Sequence, residues 1–128
     1  MKKTVFMDKY PVYTLELLKS EMKVDSIDLV VSHFMKKIDE HPVAKFIALF
    51  DHYTHTKELN GPMVEGLKDA QNVIFCFGSA IPDTKILAAR PRSIGICEFD
   101  DKYVVEFIEA PKNELNELME SWAKSLIK

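Results

Sequence analysis

SIGICEFDDKYVVEF, residues 93–107, reads as two strands joined at Asp100-Asp101, and its alternation decides what kind of sheet the chain builds. A sheet with one wet face alternates apolar and polar residues along each strand. Here Ile94, Ile96 and Glu98 form one set on the first strand, and Gly95, Cys97 and Phe99 form the other. On the second strand Tyr103, Val105 and Phe107 alternate with Val104, Glu106 and Ile108. Both sets are mostly apolar, so both faces of this hairpin call for cover. Two amphipathic helices suffice for one face. The other is left to a second chain, to a ligand, or to the chain's own middle segment, and a homodimer is the simplest expectation.

Working outward, NVIFCF at 72–77 is a central strand by its apolar density, and VAKFIALF at 43–50 is a buried strand before it. TVF at 4–6 and PVYTLELLKS at 11–20 are extended, with Pro11 suited to the start of an edge strand. The clearest helix follows. Asp25 is its expected N-cap, and Ile27, Val30, Val31, Phe34, Met35 and Ile38 recur at three- and four-residue steps until Pro42 ends it. Short helical pieces are expected near 53–59 and 63–69, on either side of Asn60-Gly61-Pro62, and again in DTKILAA at 83–89. A final helix from about Pro111 carries Leu115, Leu118, Met119, Trp122 and Leu126 on one face. The expected fold is α+β, in the order β-α-β-β-β-β-α, as one domain over residues 1–128.

A chain of 128 residues with 47% hydrophobic and 29% charged residues is long enough for one core without a disulfide or structural metal. Its net charge of −3, with lysines and acids interspersed, lacks the basic stripe that a phosphate backbone requires, so no nucleic-acid partner is expected. Asp8, Lys9 and Pro11 interrupt the N-terminus before a signal-peptide core can form, and no apolar run approaches the roughly 20 residues of a membrane span. The expected setting is the cytoplasm, away from membranes, with Cys76 and Cys97 as buried free thiols.

Three groups of residues raise chemical questions. In FDHYTHTKE, residues 50–58, His52 and His55 stand three apart, a spacing that converges on a helix, but a third metal ligand must come from Asp51 or elsewhere. The plainer reading makes Asp51 a helix cap and leaves His52 packed at the strand end or lining a pocket there. In FGSAIPDTK, residues 77–85, a strand runs through Gly78-Ser79 toward a helix start, where amides can meet an anion, although Asp83 competes for those amides and a tight, capped turn is the favoured reading. Lys85, Arg90 and Arg92 offer a carboxylate-binding fork, or simply a solvated loop. Ser79 lacks the G-x-S-x-G context of a hydrolase nucleophile, and neither cysteine opens a helix, so no catalytic constellation is visible and no cofactor is expected.

FIALFDH at 46–52, VIFCFG at 73–78, AARP at 88–91 and SIGICEFDDKYVVEF at 93–107 resemble an uncharacterised bacterial family catalogued as domain of unknown function three-zero-two. The chain departs from that family where Ser79-Ala80-Ile81-Pro82 replaces Asn-Pro, and where Arg92-Ser93-Ile94 replaces Leu-Pro. The resemblance implies a TATA-binding-protein-like fold, a curved antiparallel sheet around a long C-terminal helix, with short helices between the middle strands. In related helix-grip architectures an apolar ligand lies between sheet and helix. By that analogy Asp51, His52, Phe77, Gly78, Ser79 and Trp122 are the residues to watch.

Two functions follow as expectations. The first is non-enzymatic binding of a small apolar or amphipathic ligand, or of a protein partner, by a homodimer. The alternative is metal- or haem-dependent binding or redox chemistry through His52, His55 or both.

Overall fold

The computed structural model describes residues 1–128. Six antiparallel strands form one open sheet: β1 (Lys2–Phe6), β2 (Tyr10–Leu18), β3 (Ala44–Asp51), β4 (Asp69–Phe77), β5 (Arg92–Glu98) and β6 (Lys102–Ile108). Their spatial order is β1-β2-β6-β5-β4-β3. The helices are α1 (Ile27–Glu40), α2 (His52–Glu58), α3 (Ile86–Ala89) and α4 (Asn113–Lys124). The fold is therefore α+β, with the expected element order and one additional N-terminal strand. No helix is long and apolar enough to cross a membrane.

Strand register fixes what each face carries. Leu17, Tyr103, Val105, Phe107, Ile94, Ile96, Val73, Phe75 and Phe77 share one face and are buried. α1 supplies Ile27, Val30, Val31, Phe34 and Ile38 to the same core, and α4 supplies Met119, Trp122 and Ala123. Burying one such large side chain is worth about 1.5–3 kcal/mol. Met35 falls at the edge of the α1 stripe and stays exposed. Trp122 packs at a tilt against Phe75 and Phe77, with ring centroids 5.9 and 5.8 Å away.

Several local expectations are corrected. Ser26, not Asp25, caps α1: its side chain accepts from the Leu29 amide at 3.2 Å. Residues 63–69 form no helix; Gly66 sits at φ 85, a left-handed conformation that interrupts helical winding. α4 begins at Asn113, after Lys112. β1 pairs with β2 through a tight reversal in which Met7 and Asp8 both have positive φ and the Lys9 amide bonds the Phe6 carbonyl. Cys76 and Cys97 are half-buried rather than buried, because they point to the sheet face that carries no long helix.

That open face carries Val12, Thr14, Val104, Glu106, Ile108, Gly95, Asn72 and Ile74. The start of α2 touches one end of it, where His52 bonds Asn72 and packs with His55 on Phe50. α2 stands at the end of β3 and β4 where Asp51 pairs with Gln71, and Gly66 lies near Phe99 at the β5–β6 turn.

Candidate functional site

The residues singled out in the sequence fall at opposite ends of the β3–β4 pair. Six strand residues at roughly 3.3 Å each separate Asn72 from Gly78, so about 20 Å divides the two groups. Asp51 and His52 lie at one end; Phe77, Gly78 and Ser79 lie at the other.

At the first end both carboxylate oxygens of Asp51 are engaged. Its carboxylate accepts from the Thr54 amide at 3.0 Å, the Thr54 hydroxyl at 2.7 Å and the Gln71 amide group at 3.2 Å. These bonds, those from Thr54 foremost, hold its pKa below the ordinary carboxylate value. His52 Nδ1 is 2.9 Å from Asn72 Oδ1, and Asn72 Nδ2 donates to the Ser93 hydroxyl at 3.0 Å. Because an amide oxygen only accepts, His52 carries its proton on Nδ1 in that bond. The rings of His52 and His55 stand 5.9 Å apart, with the Phe50 ring 4.9 Å from His52 and 5.2 Å from His55. No group of three or more His, Cys, Asp or Glu side chains comes together to hold a metal ion anywhere in the chain.

The other end is built differently. Gly78 follows β4 at φ 90, and its amide donates to the Val43 carbonyl at 2.7 Å. Glycine is favoured there by the left-handed backbone; a Cβ would lie 2.5 Å from Arg90 Nη2, the tip of a flexible side chain that would have to shift. Arg90 Nη1 donates to the Ala80 carbonyl at 2.8 Å, which ties the 79–85 loop to this end of the sheet. Ser79 is exposed on that loop.

Beside this turn, a pocket of about 230 Å³ opens between the end of β4, α3 and the head of α4. Val43, Phe77, Ile86, Ala89, Ala110, Pro111 and Leu115 form its apolar walls, and Arg90, Arg92, Lys112 and Glu114 its charged lining. Trp122 is buried behind Phe77 and does not line it. Asn116 braces the turn into α4: its Oδ1 accepts from the Ala110 amide at 2.7 Å and its Nδ2 donates to the Ala110 carbonyl at 3.3 Å.

Arg92 is the unusual member. It pairs with Phe75 across the β4–β5 ladder and so points to the core face, where only 7% of it is exposed. Its Nη2 donates to the Ile108 carbonyl, while its buried Nε has no partner. No carboxylate forms a salt bridge with it. Burial alone pushes its pKa down from the usual guanidinium value. Close by, α4 starts at a lysine that provides no side-chain cap, in a position where Ser, Thr, Asp or Asn normally satisfies the first amides.

The chain matches, over residues 1–128, the model of a family of unknown function, DUF6858. It belongs to that family. No curated protein and no solved structure matches it. Within this DUF6858 member, then, geometry alone must separate the two ends of the strand pair. Sequence reading picked out Arg90 and Arg92 as a possible carboxylate fork together with Lys85, but Lys85 is exposed and does not line the pocket. It missed the lining from Ala110 to Leu115. The one available signal there was a lysine, rather than a capping residue, ahead of a strongly amphipathic helix.

Proposed function

We propose that this chain is a non-enzymatic binding protein that takes a small amphipathic molecule into the pocket at the head of α4. The observation that carries this reading is the pocket's make-up: apolar walls facing a lining in which Arg90, Arg92 and Lys112 outnumber Glu114. Apolar pockets with a few placed polar groups are the usual form of ligand sites. At about 230 Å³ the pocket lies below the usual range of ligand sites, which suits a small molecule. The test is ligand-observed NMR with a mixture of six-carbon amphiphiles, on the natural chain and on Ala89→Phe, which fills the pocket. Binding to the natural chain and loss in the variant is the expected result. Binding that survives Ala89→Phe places the ligand elsewhere.

A second reading, assembly as a homodimer through the open sheet face, is favoured by the apolar residues there. Ile47, Phe50 and Ile108 are each more than a third exposed, and Ile74 and Val104 lie half-buried beside them. A second copy of the same face would remove this surface from water. Sedimentation velocity is expected to give a dimer for the natural chain and a monomer for Ile74→Lys; a monomeric natural chain sinks this reading. Kinship with the three-zero-two family, and with it the TATA-binding-protein-like label for the sheet, is likewise a proposal, carried by the FIALFDH and VIFCFG stretches.

A further inference from the structure

We infer that the pocket's ligand is a monocarboxylate with a short apolar tail, its carboxylate received by Arg92 and the head of α4. The inference rests on the binding role proposed for this pocket and specifies the chemistry that fills it. A guanidinium has five N–H donors. In Arg92 one donor has the Ile108 carbonyl, and Nε, cut off from water, has nothing. A buried cation without a counter-ion is costly, and most proteins pair it or replace it. The α4 terminus adds positive potential from the same side, since its amides lack a side-chain cap and Lys112 stands where an acceptor normally stands. Buried cation, uncapped helix and apolar walls meet in one cavity.

The anion's type follows from its neighbours. Glu114 belongs to the lining and forms no salt bridge, so a dianionic phosphate meets more repulsion there than a monoanion. A planar carboxylate fits the guanidinium's donors, and the apolar walls receive a tail of a few carbons.

The test compares hexanoate with hexanamide, its neutral counterpart of equal size, by calorimetry and ligand-observed NMR at pH 7. Hexanoate is expected to bind about tenfold more tightly, the worth of a charge-assisted hydrogen bond. In Arg92→Met the preference should shrink to within about twofold; in Lys112→Gln, which changes only an exposed side chain, hexanoate should weaken about two- to threefold. If Arg92→Met does not fold, the ligand pair on the natural chain still decides, read also from the Arg92 Nε–H resonance, which hexanoate should shift and hexanamide should not. Equal binding of the two ligands overturns the carboxylate assignment and leaves the pocket reading intact. Failure of both to bind removes the pocket reading and the assignment with it. Inorganic phosphate binding as tightly as hexanoate also overturns the monocarboxylate assignment.

Discussion

The two ends of the β3–β4 pair carry polar clusters of opposite character. At the Asp51 end the polar side chains satisfy one another: Asp51 caps α2 and receives Gln71, His52 bonds Asn72, and Asn72 bonds Ser93. At the Gly78 end an arginine is buried with a donor unmet and an adjoining helix starts without a cap. The first is what a stable turn needs, because Asp51, His52 and Asn72 each have an internal partner. The second leaves Arg92 Nε and the first amides of α4 without a side-chain partner, which is the opening the proposed ligand would use. A cluster rich in histidine thus has the weaker claim to function, and one arginine at a strand start has the stronger.

Substitutions at the two ends sharpen this contrast. The largest loss is expected for Phe77→Ala, which removes a pocket wall that is also core, packed on Trp122 and Phe75. Urea denaturation should show a loss of about 3–5 kcal/mol. Gly78→Ala comes next, at about 1–3 kcal/mol in the same measurement, because φ 90 strains any side chain and the new Cβ meets Arg90. If Gly78→Ala proves neutral, residue 78 does not hold the left-handed conformation described.

Asp51→Asn should lower the melting temperature by a smaller amount, and only where the carboxylate is charged. The folded-state pKa of Asp51 lies below its unfolded value, so its contribution is present above about pH 4 and is lost as pH falls through the folded value. Melting curves of the two chains should converge in acid. The smallest effect belongs to His33, which bonds the Trp122 carbonyl and Ser125 hydroxyl, both at 2.9 Å, from α1 to α4. Burial first, and then Lys37, Lys23 and Lys36, outweigh the Trp122 bond and lower its pKa. The folded state then binds this proton less readily than the unfolded one, so stability falls as pH drops below about 6.5 and the loss is complete below the folded value. A melting temperature whose pH dependence is unchanged in His33→Gln contradicts this.

Much of the fold was legible because the α1 stripe and the strands flanking the β5–β6 turn have unambiguous periods. The β1–β2 turn was not, since Met7 and Asp8 adopt positive φ without the Asn-Gly or Gly that normally announces such a reversal. The alternation at 93–107 called for two apolar faces; the face without the long helices is mixed, with Thr14, Glu106, Asn72 and Ser93 among Val12, Val104, Ile108 and Ile74. The site was half legible. Asp51 as a cap follows from local sequence, whereas the burial of Arg92 depends on its register opposite Phe75 and on a helix twenty residues later in the chain. No local pattern distinguishes such an arginine from one in a solvated loop.

The central claim is that Arg92 is kept for a ligand and not for the stability of the chain alone. The direct measurement is the unfolding free energy of the natural chain and Arg92→Met, each with and without hexanoate. Without ligand, Arg92→Met is expected to be at least as stable as the natural chain, because an unpaired buried charge is replaced by an apolar side chain of similar reach. Hexanoate should then stabilise only the natural chain. A loss of about 2 kcal/mol or more in Arg92→Met, the worth of a charged hydrogen bond, with hexanoate acting on both chains alike, would contradict the account.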